Sequence, residues 1–308
     1  MPLRRPRRAW TPSKRPALVP RGRGDPAPSA LAPRPALSEG AIWRGGPHAN
    51  ALDRVPHVAR RVDYRVAAPG YERGRELSGA DLDRWRSAVM QLLPGEVGTV
   101  LDLGAGTGIF SRAWADWGAG LIVAGEPSRE MRREARRHRL PPNVVLVAAR
   151  AETIPLASWC VDVVWLSTVV HHIADLPAAA AEIHRVLAPE GRLLVRNLFA
   201  DLGTTPWLNE LPGADRARHV FPTVHELAEQ LHAHGLQLIA TVEVAEQDRH
   251  RSAKATAAWI RSMRNADTLL LAFTDDEIAV GLERLDSHPP NHTLEPSRIG
   301  LAAFRSAR

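Results

Sequence analysis

The feature that most constrains the fold is a short apolar stretch that leads directly into a glycine-rich turn. Residues 100–108 read VLDLGAGTG, and the stretch from Ile109 to Trp117 continues with helical periodicity. Glycines in such a turn let a ligand approach backbone atoms closely and readily adopt positive φ angles. The helix that follows offers free N–H groups and a partial positive charge at its first turn. The segment therefore predicts a buried strand, a ligand-binding loop and a helix, in that order.

Apolar runs alternate with helical periodicities from Asp63 onward, which is typical of a parallel sheet covered by helices. The predicted strands are Val100–Leu103, Leu121–Ala124, Val144–Val147, Val161–Leu166, Leu193–Val195, Leu236–Val242 and Ile299–Phe304. The predicted helices cover residues 80–93, 109–117, 128–137 and 176–187, a segment that begins at His225, and a long stretch over 251–286. The sequence therefore predicts an α/β fold.

Two acidic residues near the glycine turn indicate the class of ligand. Asp102 stands two residues before the first glycine, and Ile109 occupies the position where a dinucleotide-binding fingerprint has its third glycine. A carboxylate at this point repels a pyrophosphate and attracts an ammonium group. Glu126 ends the next predicted strand, 18 residues after Gly108, where a carboxylate can accept hydrogen bonds from both hydroxyls of a ribose. The pattern favours a zwitterionic or cationic ligand over a dinucleotide.

Four segments, in order and at the family's spacing, resemble the class I S-adenosylmethionine-dependent methyltransferases. They read VLDLGAGTG, LIVAGEPS, AETIPLASWCVDVVWLSTVVHHIAD and EIHRVLAPEGRLLVRN. The resemblance covers about residues 63–197 and is to the small-molecule group (methyltransferase type 11 and type 25) that includes ubiquinone- and menaquinone-type C-methyltransferases and tailoring enzymes of natural-product pathways. It implies a Rossmann-like, seven-stranded, mostly parallel sheet with helices on both faces, an antiparallel last strand and a helical lid insert. It also implies S-adenosyl-L-methionine as cofactor and S-adenosyl-L-homocysteine as product.

The resemblance also implies which residues contact the methionine part of the cofactor. They are Asp102, Gly104, Ala105, Gly106 and Gly108 along the methionyl chain, Ser167 and Thr168 at the sulfonium, and Tyr71 at the carboxylate end. Arg75 either assists Tyr71 or is a solvated surface arginine. The other arginines of this half, Arg185, Arg192 and Arg196, are predicted to be surface or helix-end charges.

For the nucleoside part, the resemblance implies that Glu126 holds the ribose hydroxyls. Pro127 and Met131 then pack near the adenine, and Ala151-Glu152 forms the loop beside the ring. Arg150 departs from the family, because many relatives carry an acid there that binds the adenine amino group. A backbone group of Ala151 is the predicted replacement.

His171 and His172 follow the fourth predicted strand. Histidine titrates near neutral pH, so either is a candidate general base for a phenol, a carboxyl-bearing acceptor or an amine. The alternative is that this position fixes a loop, as His or Asp does in the family. Adjacent residues point apart, and we predict no metal site.

Acceptor identity is expected to come from segments that cover the sheet, because methyl transfer mainly requires alignment and exclusion of water. These segments are the N-terminal helix from about Tyr71, residues Phe199–Pro222, and a helical lid insert over about 246–290. Four of their large side chains either line an apolar acceptor pocket or form the core of the lid. They are Trp207, Trp259, Met263 and Phe273.

Residues 1–60 differ in composition from the remainder. They hold 12 Lys and Arg against three Asp and Glu, and 11 of the chain's 25 prolines, which disfavour helix and sheet. We predict a disordered basic tail, or a stretch upstream of the true start at a valine such as Val55 or Val62. The alternative is a basic arm that binds RNA, DNA or anionic lipid. Residues 61–308, the predicted methyltransferase domain, hold 28 basic and 31 acidic residues, so charge does not predict nucleic-acid binding there.

The leading hypothesis is an enzyme that methylates a small organic acceptor at O, N or C, with secondary metabolism as one setting. A single cysteine, Cys160, and the lack of a run of about 18 apolar residues favour a cytoplasmic location with no membrane partner. The sequence is compatible with both a monomer and a homodimer.

One alternative function is that of an RNA or protein methyltransferase guided by the basic arm, although no Asn/Asp-Pro-Pro-aromatic signature follows the fourth strand. The other alternative is a scaffold without catalytic activity. A scaffold would not require Asp102, Glu126 and the glycines of the turn together, which argues against this alternative.

Overall fold

The computed structural model describes residues 74–75, 77–246 and 252–307, and within them a single mixed sheet organises the chain. Its strands are β1 Thr99–Leu103, β2 Leu121–Gly125, β3 Val144–Val147, β4 Val161–Ser167, β5 Leu187–Asn197, β6 Gly203–Thr204, β7 Leu236–Glu246 and β8 Ser297–Ser306. They follow the order β3-β2-β1-β4-β5-β8, with β7 on the far side of β8 and β6 continuing the line of β5 beside β8.

The parallel part of the sheet runs from β3 to β5, and β8 pairs antiparallel with both β5 and β7. The predicted antiparallel last strand is therefore confirmed. The described sheet has eight strands where seven were predicted, because β6 is a two-residue strand that is too short to produce an alternating pattern. The predicted tail over 1–60 and Tyr71 lie outside the described residues.

The helices agree with the sequence pattern except in the insert and over Ala214–Arg218, a five-residue helix that the sequence did not predict. They are α1 Gly79–Met90, α2 Ile109–Asp116, α3 Arg129–Arg137, α4 Leu176–Val186, α5 Ala214–Arg218, α6 Val224–His232, α7 Ala253–Met263, α8 Thr268–Leu271 and α9 Asp275–Ser287. The stretch predicted as helical over 251–286 thus contains three helices. Asp267 begins α8 by accepting the N–H groups of Leu269 and Leu270, and a capping box of Thr274 and Glu277 begins α9.

Buried side chains fill both faces of the sheet. On β1, Leu101 belongs to the cluster beneath α4 and α6, whereas Val100 belongs to the cluster beneath α1 and α2. Every residue of β1 is buried, including Thr99 and Asp102, so the strand is covered on both faces. This double burial fixes the position of the carboxyl end of β1, where the glycine turn begins.

A third cluster joins the insert helices to the segment after β5. Trp207, Met263 and Phe273 are all buried in it, which supports the interpretation of these side chains as the core of the insert. Trp259 is only partly buried and packs edge-on against Trp207, with ring centroids 5.2 Å apart. Within the described ranges, no helix has both the length and the apolarity that crossing a membrane requires.

Candidate active site

The glycine turn connects β1 to α2 and contains three glycines with positive φ angles. Gly104, Gly106 and Gly108 have φ angles of +80°, +58° and +83°. A Cβ on Gly104 would lie 2.5 Å from the Cγ2 atom of Val169, whereas one on Gly106 would meet no heavy atom within 4 Å. Gly104 is therefore required by packing, while Gly106 leaves open space beside the backbone. That space adjoins the cavity at the carboxyl edge of the sheet.

A cavity of about 290 Å³ lies at this edge, and most of the predicted cofactor residues line it. The predicted residues on its surface are Gly104, Gly106, Glu126, Pro127, Met131, Ala151, Glu152, Ser167, Thr168 and His172. Residues far apart in the sequence converge here because parallel strands present their carboxyl ends at one edge.

A second, smaller cavity of about 80 Å³ adjoins the first and contains the remaining part of the turn. Asp102 and Ala105 line it, together with Ser167 and Thr168, which both cavities share. Gly108 lines neither cavity. It occupies the N-cap of α2, where a Cβ would lie 2.9 Å from the Cδ2 atom of Leu140.

Asp102 is a buried acid whose charge is poorly compensated. Its Oδ2 atom accepts a hydrogen bond of 2.6 Å from the Ser111 hydroxyl. Burial raises the pKa of Asp102 to about 7, and the nearby carboxylate of Glu126 raises it further, while the Ser111 hydrogen bond lowers it. A cation placed beside Asp102 would favour the charged form, so the local chemistry suits an ammonium group.

Glu126 is held by backbone groups. Its Oε2 atom accepts the N–H of Gly106 at 2.8 Å, and its Oε1 atom accepts the N–H of Ser128 at 2.7 Å. Burial raises the pKa of Glu126 above its ordinary value, against the effect of these two hydrogen bonds. The two contacts point the carboxylate at the glycine turn, where it lines the larger cavity.

The far end of the larger cavity is lined by the loop after β3 and by α3. Met131 is buried there, and Ala151 is also buried. The Nε atom of Arg150 lies 3.3 Å from the Oε2 atom of Glu152, and Glu152 also accepts the N–H of Ala174 at 3.1 Å. The residue that departs from the family pattern is thus ion-paired at the cavity wall.

Thr168 joins the two cavities and has an unusual backbone conformation. Its φ of +58° is rare for a β-branched residue and costs free energy. Arg196 holds it in place twice, because the Arg196 carbonyl accepts the Thr168 N–H at 2.7 Å and its Nη1 atom donates to Thr168 Oγ1 at 3.0 Å. The same Nη1 atom donates to Ser167 Oγ at 3.2 Å.

Arg196 is buried, so the prediction that it is a surface or helix-end charge is wrong. Its side chain is 8% exposed, its Nη2 atom donates to Glu246, and its guanidinium lies 4.9 Å from the centroid of the Trp85 ring. Trp85 Nε1 donates to the same Glu246 oxygen at 3.0 Å. The sequence contained one signal, since Arg196 follows Leu194 by two residues on a buried strand and so shares its face.

Arg75 forms a second ion pair at this edge. Its Nη2 atom lies 2.7 Å from the Oδ2 atom of Asp267, and its side chain is 18% exposed, which excludes the solvated surface alternative. Beside it, Trp259 Nε1 donates to the carbonyl of Gly74 at 2.8 Å. The two contacts attach the chain before α1 to the insert.

The two histidines face different surroundings. His172 lines the larger cavity, whereas His171 lines an open depression of about 620 Å³ together with Phe221. Burial lowers the pKa of His171 well below its ordinary value, so this ring is neutral near pH 7. The ring centroids of His171 and His172 are 4.0 Å apart.

Comparison with known proteins agrees with this geometry. Residues 101–195 match a family model described as a methyltransferase domain. The chain is 36% identical over 161 residues to a demethylmenaquinone methyltransferase of Beutenbergia cavernae, which covers 51% of this chain and 62% of the relative. It is 38% identical over 148 residues to a malonyl-(acyl-carrier protein) O-methyltransferase of Enterobacter lignolyticus, which covers 48% and 56%.

The fold comparison extends further along the chain. A crystal structure from Anabaena variabilis, of a protein named as a methyltransferase of an antibiotic biosynthesis pathway, superposes with a TM-score of 0.56 at 23% identity. It covers 71% of this chain and 96% of that one. The chain spans less than two thirds of the length of the two curated relatives. Residues 101–195 are thus similar to a methyltransferase domain, and the sheet built on them is similar in fold to the Anabaena variabilis structure.

Proposed function

We propose that this protein transfers a methyl group from S-adenosyl-L-methionine to a small organic acceptor, at O, N or C, and releases S-adenosyl-L-homocysteine. The observation that carries the proposal is the pair of buried acids on one cavity system. Asp102 and Glu126 lie on either side of the glycine turn and are stabilised by a hydroxyl and by backbone N–H groups. No described cation forms an ion pair with either carboxylate, so both can serve a ligand.

The residues at the cavity fit the proposed cofactor. Asp102 would hold the ammonium group and Glu126 the ribose hydroxyls, as the family resemblance implies. Gly106 leaves the backbone open on the cavity side, where a Cβ would otherwise project. Met131 and the Ala151–Glu152 loop line the end assigned to the adenine. Tyr71, the proposed contact of the cofactor carboxylate, stays a prediction.

When bound, S-adenosyl-L-methionine supplies an electrophilic methyl group, so the protein mainly has to orient the acceptor and exclude water. Ser167 and Thr168 stand where the two cavities meet and are the proposed residues beside the transfer. The insert over 246–290 is the proposed cover. His172 is the proposed proton acceptor for substrates that must lose a proton, because it lines the cavity. His171 is the weaker candidate for this role, and its contact with His172 suits it to hold that ring in place.

The acceptor class rests on the relatives. The names of the two curated relatives refer to demethylmenaquinone and to a malonyl group carried by an acyl-carrier protein, so each name places the methyl group on a small organic moiety. We propose the same class of acceptor for this chain, with secondary metabolism as one setting, a cytoplasmic location, and a monomer or homodimer as the working form.

The proposal is tested by titrating S-adenosyl-L-homocysteine and NAD separately into the wild-type protein and into Glu126→Gln. We expect micromolar binding of S-adenosyl-L-homocysteine, little binding of NAD, and a loss of about tenfold or more in Glu126→Gln, because an amide replaces a charged acceptor of two hydrogen bonds. Glu130→Gln is the matched control, since Glu130 lies on α3 outside the cavity lining. Tighter binding of NAD than of S-adenosyl-L-homocysteine would refute the proposal.

A further inference from the structure

A third cavity, of about 50 Å³, lies between the carboxyl ends of β5 and β7 and the insert, and Thr168 lines both this cavity and the larger one. Its polar lining comes from both ion pairs and from three hydroxyl side chains. These residues are Arg75, Asp267, Arg196, Glu246, Thr168, Thr205 and Ser297. Trp207 and Trp259 supply apolar walls. The cavity shares Arg75, Thr168 and Arg196 with the one that contains Asp102.

The two carboxylates of this cavity already accept several hydrogen bonds. Asp267 accepts two backbone N–H groups on its Oδ1 atom and the Arg75 guanidinium on its Oδ2 atom. One oxygen of Glu246 accepts both the Trp85 indole and the Arg196 guanidinium. Neither acid is therefore available to a cationic or hydrogen-bond-donating acceptor without breaking a buried ion pair, which is costly.

The same region has more hydrogen-bond donors than acceptors. An arginine has only donors, so the Ser167 and Thr168 oxygens accept from Arg196, and each hydroxyl keeps its own hydrogen to donate. No described residue accepts either hydrogen. Ser297 is 4% exposed, and its hydroxyl has no hydrogen-bond partner among the described residues although it lines the cavity. Buried polar groups of this kind normally have a partner.

We propose that Arg196 selects the methyl acceptor, and that the acceptor carries a carboxylate. The Arg196 guanidinium and the Ser167, Thr168 and Ser297 hydroxyls form the donor set that binds this carboxylate, beside the proposed point of methyl transfer. The inference rests on the proposed function for its link to catalysis. The binding site itself consists of side chains that are already in place without a cofactor. Its size admits a carboxylate with a short stem.

The geometry also gives Arg196 a positioning role. It holds Thr168 at positive φ through its own backbone carbonyl and through its guanidinium. A carboxylate that accepts hydrogen bonds from these donors would therefore be held at a fixed position relative to Thr168, which also lines the cofactor cavity. Substrate recognition and alignment of the reacting atoms would depend on the same side chain.

The test uses acetate as the probe, with acetamide and methylammonium as neutral and cationic probes of the same size. Binding of each is measured by NMR saturation transfer on the full-length protein, with and without saturating S-adenosyl-L-homocysteine. We expect acetate to bind at least about tenfold more tightly than either control probe. We expect Arg196→Gln to remove this preference and Arg192→Gln, a partly exposed arginine on the same strand, to retain it. Equal binding of acetate and acetamide to the wild-type protein would overturn the proposal.

Because Arg196→Gln can also unfold the protein, Ser167→Ala and Thr168→Val provide a second test that leaves the ion pair intact. Each should weaken acetate binding severalfold, and unchanged binding in both would overturn the proposal. The separate binding of S-adenosyl-L-homocysteine distinguishes two failures. If it binds and acetate does not, only the acceptor inference fails; if acetate binds and S-adenosyl-L-homocysteine does not, only the proposed function fails.

Discussion

The two sides of Thr168 handle buried charge in opposite ways. On the cofactor side, Asp102 and Glu126 are buried acids held by neutral donors, and burial raises the pKa of both. On the other side, each buried acid has an arginine, in the pairs Arg75–Asp267 and Arg196–Glu246. A buried charge without a counter-ion costs stability, whereas a complete pair is stable as long as both partners remain. The difference supports the proposed cationic ligand on the first side and the proposed donor set on the second.

The largest expected effect comes from breaking a pair on the second side. Glu246→Gln leaves the Arg196 guanidinium buried without its counter-ion, so we expect the free energy of unfolding to fall by about 3 kcal/mol. Urea denaturation measures this change. Glu243→Gln, on an exposed position of the same strand, should change stability by less than about 0.5 kcal/mol. Equal effects of the two substitutions would show that the pair is unimportant.

The matching substitution on the cofactor side should have the opposite effect on stability. Because the folded-state pKa of Asp102 is raised to about 7, its contribution to stability is lost as pH rises toward 7 and is absent above it. Asp102→Asn should therefore raise the free energy of unfolding at pH 8 relative to wild type, with little change at pH 4.

The same Asp102→Asn protein should bind S-adenosyl-L-homocysteine about 30-fold more weakly, since a hydrogen bond to a charged group contributes about 2 kcal/mol. Calorimetric titration checks this, with the exposed Asp116→Asn as the control for net charge. A variant that loses both stability and affinity would contradict the assignment of Asp102 to the ligand.

A smaller effect follows from the titration of Asp102 in the wild-type protein. If only the ionised carboxyl binds an ammonium group, a pKa of about 7 predicts that affinity for S-adenosyl-L-homocysteine rises about eightfold between pH 6 and pH 7.5. Asp102→Asn should abolish this rise. Titration in two buffers of different ionisation heat would also reveal the release of a proton on binding. A flat profile in the wild-type protein would exclude Asp102 as the residue that titrates.

The smallest effect is expected at the contact between the insert and residue 74. Trp259→Phe keeps the aromatic contact with Trp207 and removes the hydrogen bond to the Gly74 carbonyl, which should cost about 1 kcal/mol of unfolding free energy. Trp159→Phe is the matched control, because Trp159 is 59% exposed. Cofactor affinity should be unchanged in both variants, and a large loss in Trp259→Phe would mean that the insert also shapes the cofactor cavity.

The residues that line the cofactor side could be predicted from the sequence, because most of them belong to short-range sequence patterns. The strand, the glycine turn and the acid at the end of the next strand are short-range patterns, and Asp102 and Glu126 were identified in this way, whereas Thr168 came from the family resemblance. They line the two adjoining cavities in the structure. The five parallel strands that surround them give apolar runs with clear boundaries.

The other side could not be predicted, because its contacts join distant parts of the chain. Arg196 and Glu246 are 50 residues apart, and the one local signal is the position of Arg196 two residues after Leu194 on a buried strand. The division of the insert into three helices and the two-residue strand β6 were not predicted for related reasons. A short break in helical periodicity and a two-residue strand both give weak signals in the sequence.

A crystal structure of the protein with S-adenosyl-L-homocysteine bound would test the roles proposed for Asp102 and Glu126. We expect the amino group of the ligand to lie within hydrogen-bond distance of the Asp102 carboxylate, both ribose hydroxyls to contact Glu126, and the sulfur to lie beside Ser167 and Thr168. A ligand bound elsewhere, or in the reverse direction with its adenine at Asp102, would show that these two acids do not have the proposed roles.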